Sequence, residues 1–170
     1  MALLHKLANV LWVYVLCGVL CAGFTYQLLK HENPCPLCLL ERLGMIGIAI
    51  GALMNLRFGV KVEHYGVALF SAFGGRIVSL RQIALHICPQ FPTFGSPVLG
   101  YDLYVWAFIV FTCSVLVTAI LLIAWGLSGQ KEIHITWDIW GKIGFWWLAL
   151  LVVANLITTF ALCGLSACQG

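Results

Sequence analysis

Five apolar runs joined by short connections leave this chain one kind of fold. They lie near residues 8–29, 39–56, 65–87, 101–127 and 143–162. A hydrocarbon core of about 30 Å takes roughly 20 helical residues to cross, and each run reaches or approaches that length. In lipid every backbone N–H and C=O must be satisfied inside the protein, so runs of this kind become helices. The expected fold is an all-α integral membrane protein, an up-and-down transmembrane helical bundle in a single domain over residues 1–170. Composition agrees: 62% of the 170 residues are hydrophobic and 9% charged, where a soluble domain is about a quarter charged. The formal charge of +3 is small and scattered, which gives no footing for nucleic acid.

The first run follows His5-Lys6 in the manner of a signal peptide. Its apolar stretch is too long for one and no small-x-small site follows, so it is expected to stay attached. Cys17 and Cys21 each follow leucine, which argues against lipoprotein cleavage. The connections set orientation. Lys6, Arg57, Lys61, Lys131 and Lys142 fall in one set and only Lys30 in the other, so the first set is expected on the cytoplasmic side. Counting spans then places Cys35, Cys38, Cys88, Cys163 and Cys168 on the outer side, the periplasm in a bacterium, where disulfides persist. Cys17, Cys21 and Cys113 fall within spans and read as packing residues.

The chemistry concentrates in Pro34-Cys35-Pro36-Leu37-Cys38-Leu39-Leu40-Glu41-Arg42. Two cysteines three residues apart at a helix N-terminus can close an exchangeable disulfide, and the helix dipole there favours the thiolate. Arg42 lies one turn beyond Cys38 on the same face. It is read either as the electrostatic partner of the Cys38 thiolate or a quinone oxygen, or as an arginine snorkelling to the outer headgroups.

The third run is the least lipid-like, with Gly74-Gly75-Arg76, Ser79, Arg81, Gln82 and His86. Ionisable residues at membrane depth are costly and count as functional candidates, and the glycine pair is expected to admit a neighbouring helix. Asp102 is expected to cap the fourth helix, and Tyr101, Tyr104 and Trp106 to form an outer aromatic belt. The connection carrying Ile133, Ile135, Trp137, Ile139 and Trp140 is expected to lie along the inner surface, with Trp146 and Trp147 completing the inner belt. The last run ends in Cys163 and Cys168, a second pair on a tail that can swing and relay a disulfide by thiolate exchange. Cys88 either stands by or pairs transiently with one of them.

On these residues the chain resembles the DsbB family of membrane oxidases. The carriers are Pro34-Cys35-Pro36-Leu37-Cys38 with the trailing Glu41-Arg42, supported by Arg81 and His86 shortly before an outer loop. The resemblance implies a four-helix core, here with a fifth span, and a quinone-dependent thiol-disulfide oxidoreductase of the bacterial inner membrane. It would reoxidise a periplasmic DsbA-like thioredoxin-fold partner and pass electrons to ubiquinone or menaquinone docked beside Cys38. The catalytic candidates are then Cys35, Cys38, Cys163 and Cys168, with Cys88 in reserve; Arg42, Arg81 and His86 are the quinone-binding candidates. That family carries its second cysteine pair between the third and fourth helices. This chain has Cys88 there, so Cys163 and Cys168 are read as a relocated relay. Two other readings stand beside this one: a thiol reductase delivering electrons outward, and a non-enzymatic membrane protein using Cys35, Cys38, Cys163 and Cys168 as metal ligands.

Overall fold

A computed structural model describes residues 2–30, 35–87, 97–129, 133 and 135–164. They form five helices: α1 (Ala2–Lys30), α2 (Pro36–Phe58), α3 (Val62–Ile87), α4 (Leu103–Leu127) and α5 (Ile139–Cys163). Two isolated bridges, Val60 with Ile133 and Val98 with Tyr101, are the extended pairings among the described residues. The chain is an all-α helical membrane bundle, as its apolar runs require. Helices α1, α2, α4 and α5 are each long and apolar enough to cross a membrane. α3 has the length, at 26 residues, but Glu63, Arg76 and Arg81 leave it more polar. It is sandwiched between α2 and α4, the two helices it packs against most extensively.

The helices alternate in direction. The starts of α1, α3 and α5 meet the ends of α2 and α4, as the contacts of His5 with Tyr65, Lys6 with Asp138 and Asn9 with Asn55, and the buried cluster shared by Tyr65 and Leu121, show. Several helix starts fall before the apolar runs do, each for a local reason. α1 begins at Ala2 because His5 and Asn9, polar to the eye, are fully buried. His5 Nδ1 hydrogen-bonds the Tyr65 hydroxyl at 2.9 Å, and Asn9 Nδ2 donates to that hydroxyl at 3.1 Å. Asn55 Nδ2 donates to Asn9 Oδ1 at 3.2 Å, and His64 Nδ1 donates to Asn55 Oδ1 and the Gly59 carbonyl. This chain of side chains ties α1, α2 and α3 together at one end. α5 begins at Ile139 because Asp138 Oδ1 accepts from the Gly141 N–H at 3.2 Å, an N-cap.

α2 and α3 approach closely through small residues. A Cβ added at Gly51 would lie 2.8 Å from the His64 carbonyl oxygen, and one at Gly47 would overlap Ser71. A Cβ at Gly75 would overlap the ring of Phe111, which is fully buried at the meeting of α2, α3 and α4. Only half of the expected glycine pair has this role: Gly74 is exposed, with open space where its Cβ would be. Two further expectations are corrected. Asp102 occupies the N-cap position of α4 without a side-chain cap bond, because its carboxylate accepts from the Tyr104 hydroxyl at 2.6 Å. The connection before α5 is more than a surface segment: Val60 N–H donates to the Ile133 carbonyl at 2.9 Å, and Ile133 is buried with Val60, Tyr65 and Leu121.

Gly75→Ala should destabilise the bundle by about 1–3 kcal/mol through overpacking against Phe111. Gly74→Ala should be neutral or stabilising by up to about 1 kcal/mol through helix propensity. Thermal unfolding in detergent compares the two. A second expectation concerns pH. Lys6 Nζ lies 2.8 Å from Asp138 Oδ2 and holds that carboxyl below its usual range. A depressed carboxylate stabilises the fold above its unfolded value of about 3.9 and loses that contribution as pH falls through the lower folded value. Lys6→Met should therefore cost less than about 1 kcal/mol at neutral pH, with the difference from wild type closing in acid unfolding series.

Candidate active site

Cys35 is the N-cap of α2, in extended conformation at φ −72° and ψ 156°, and Pro36 follows in the first turn. Proline suits that position because its missing N–H would have no helical partner and its φ is already helical. The cap is the cysteine itself: its Sγ accepts from the Cys38 N–H at 3.1 Å. Cys35 and Cys38 are joined as a disulfide with Cα atoms 5.2 Å apart. One helical start thus places both sulfurs at the positive end of α2.

Behind them stands α3. Gln82, 1% exposed, directs Nε2 at both sulfurs, 3.5 Å from Cys35 Sγ and 3.7 Å from Cys38 Sγ. The sequence marked Gln82 only as one polar residue among several in the third run. Its signal was register: Ala68, Ala72, Gly75, Ser79 and Gln82 are buried together on α3 at alternating spacings of four and three.

Arg42 is half-buried, and it turns towards α1. One guanidinium nitrogen donates to Gln27 Oε1 at 2.8 Å, and the group lies 4.2 Å from the centroid of the Phe24 ring. Its Nη1 is buried and unpartnered. Glu41, 6% exposed, also keeps one carboxyl oxygen unpartnered, as Gln82 does its Oε1.

These groups share a cavity of about 390 Å³ between α1, α2 and α4. Cys38, Glu41, Arg42 and Gln82 form its polar part, and Leu20, Met45, Ala107 and Val110 are among its apolar walls. The volume falls within the range of about 300–1,000 Å³ usual for small-molecule sites. Cys35 does not line it, so the two sulfurs have different surroundings.

The other candidates are placed less directly. Arg81 is exposed and does not line the cavity, being a helical step away from Gln82 around α3. His86 donates from Nδ1 to the Gln82 carbonyl at 2.7 Å and stacks on Tyr104, ring centroids 5.0 Å apart. Tyr104 lines the cavity, so it faces inward and leaves the aromatic belt expected of it. Cys163 is the last residue of α5; Cys88 and Cys168 lie outside the described residues. Cys17 is buried, Cys21 accepts from Trp147 Nε1 at 3.2 Å, and Cys113 is exposed on α4.

Residues 5–95 match the family described as "Disulfide bond formation protein DsbB", just over half of the chain. The chain belongs to the DsbB family. It is similar to disulfide bond formation protein B 1 of Pseudomonas savastanoi pv. phaseolicola, 32% identical over 153 residues, covering 69% of this chain and 88% of that protein. Disulfide bond formation protein B of Chromobacterium violaceum is 38% identical over 98 residues, 48% of this chain and 56% of the relative. The protein of the same name from Haemophilus influenzae strain 86-028NP is 26% identical over 134 residues, 59% of this chain and 76% of the relative. No solved structure matches. This DsbB protein is accordingly a multi-pass membrane protein of a disulfide-forming oxidoreductase family. The family match covers α1 to α3, which carry the dithiol, Arg42 and Gln82, and ends before α4 and α5.

Because serine is a favoured N-cap, Cys35→Ser should leave the reduced protein within about 0.5 kcal/mol of wild type, and Cys35→Ala should cost about 1 kcal/mol. Unfolding under reducing conditions measures this, separately from any loss of redox function.

Proposed function

We propose that this DsbB protein is a single-domain thiol oxidase of the bacterial inner membrane. It oxidises a periplasmic DsbA-like thioredoxin-fold dithiol and delivers the two electrons to membrane quinone. The observation that carries the reading is the cavity: Cys38 opens onto an apolar space whose polar part holds three buried atoms without partners, on Glu41, Arg42 and Gln82. A buried polar atom left unpaired costs about 1–3 kcal/mol, so a site with three of them is built for an occupant with polar atoms of its own. A quinone head is flat and apolar and carries two carbonyl oxygens, which suits those walls and the Arg42 Nη1 donor; the free oxygens of Glu41 and Gln82 suit the hydroxyls of the reduced, quinol form.

When bound, a quinone supplies a two-electron, two-proton acceptor. Arg42, steadied by Phe24 and Gln27, would hold a quinone oxygen and stabilise negative charge near Cys38. The apolar walls exclude water, which strengthens that interaction. The partner's dithiol reduces the Cys35–Cys38 bond by exchange, directly or through Cys163 and Cys168, with Cys88 as an alternative member of the relay. Orientation rests on charge: Lys6, Arg57, Lys61 and Lys142 belong to the end opposite the dithiol, which favours the periplasm for Cys35 and Cys38. The exposure of Arg81 and the stacking of His86 on Tyr104 leave Arg42 as the principal cation for the quinone.

Anaerobic mixing of reduced protein with a soluble quinone, with disulfides mapped by mass spectrometry, tests the reading. Cys38→Ser should abolish quinone reduction, and normal turnover by that variant would overturn it. Arg42→Met should lower kcat/KM for quinone about 10- to 100-fold, the loss of one charged hydrogen bond. A Cys163→Ser/Cys168→Ser variant should slow oxidation of the partner while leaving quinone reduction intact.

A further inference from the structure

We propose that Gln82 is a catalytic residue of the dithiol, the hydrogen-bond donor that stabilises the thiolate released when the Cys35–Cys38 bond opens. The inference rests on the reading that this pair is redox-active and gives Gln82, there a polar residue of the cavity wall, a role at the sulfurs themselves.

Gln82 is almost completely buried, yet its Oε1 has no partner and its Nε2 faces two sulfurs of a disulfide. Neutral sulfur is a weak acceptor, so in the oxidised state the amide gains little from this placement. A thiolate is a charged acceptor, and hydrogen bonds to charged groups are roughly twice as strong as those between neutral ones. The interaction therefore strengthens as the disulfide opens, which is the differential stabilisation that accelerates a step.

The step balances without an added reactant. An incoming protein thiolate attacks Cys35 Sγ, a new S–S bond forms to Cys35, and the Cys35–Cys38 bond breaks with its electron pair leaving on Cys38 Sγ. No proton moves. Cys35 already has the Cys38 N–H as a donor at 3.1 Å, whereas Gln82 is the side-chain donor that reaches Cys38 as well. The other titratable or charged groups lining this cavity are Glu41 and Arg42 on α2, Tyr26 on α1 and Tyr104 on α4, with His86 behind Tyr104 on α3. Arg42, the cation among them, engages Gln27 and Phe24 on α1.

The test uses reduced full-length protein in detergent and two substitutions of nearly equal length, Gln82→Met and Gln82→Glu. The rate of Cys38 alkylation by iodoacetamide is followed against pH, with mass spectrometry identifying the modified cysteine. The midpoint should rise by about one pH unit in Gln82→Met, a roughly tenfold loss of reactive thiolate at a fixed pH below it, and further in Gln82→Glu. Equilibration with glutathione should show both variants holding the disulfide more tightly, by about tenfold or roughly 30 mV in Gln82→Met. Folded variants whose alkylation profile and glutathione equilibrium lie within twofold of wild type would overturn the assignment. Neither readout requires quinone, so failure of Gln82 is distinguishable from failure of the quinone reading, which wild-type protein inert to quinone would show by itself.

Discussion

The close approach of α2 and α3 is the contact on which the site depends. Gly47 and Gly51 on α2 meet Ser71, His64 and Ala68 on α3, and Gly75 receives the ring of Phe111 from α4. Side chains larger than hydrogen at these glycines would separate the helices. In a membrane, with no hydrophobic gain from association between apolar helices, backbone proximity and packing carry the contact. Gln82 lies two turns beyond Gly75 on the same buried face. The glycines that close the interface therefore also bring an amide to the sulfurs.

Two sets of buried polar groups sit at opposite ends of the bundle, and they differ in what their side chains meet. At one end His5, Asn9, Asn55, His64 and Tyr65 hydrogen-bond one another across three helices. A network of this kind, in which His5 Nε2 is the atom left unpartnered, fixes the register of its helices. At the other end Glu41, Arg42 and Gln82 each keep an unpartnered atom around an apolar cavity that Cys38 enters. The first set explains why α1 is helical from its beginning. The second is where chemistry has been given room.

Much of this was legible in the chain. The apolar runs announced five helices, because lipid leaves the backbone few alternatives. The Cys35-Pro36-Leu37-Cys38 spacing announced a small exchangeable disulfide at a helix start, because capping and the helix dipole are local effects. Other features were not legible. Arg81 and Gln82 are neighbours in sequence and both polar, yet one is exposed and the other touches both sulfurs. Gly74 and Gly75 are identical in type, and only Gly75 is a contact. Tyr104 reads as a belt residue but stacks on His86 and donates to Asp102. Each of these pairs of outcomes differs by rotation about a helix axis, which composition does not encode.

By itself, then, the sequence determined the class of fold, the alternation of its helices and the position of the dithiol. Those follow from hydrophobic length, charge at the ends and interactions within one turn. The tertiary structure decided which side chains share the cavity, because that depends on how α1, α2, α3 and α4 are rotated against one another. The turning of Arg42 towards Gln27 and Phe24, the burial of Glu41 and the placement of Gln82 are products of that rotation. Packing of small residues between helices sets it, over distances in sequence that no local rule spans.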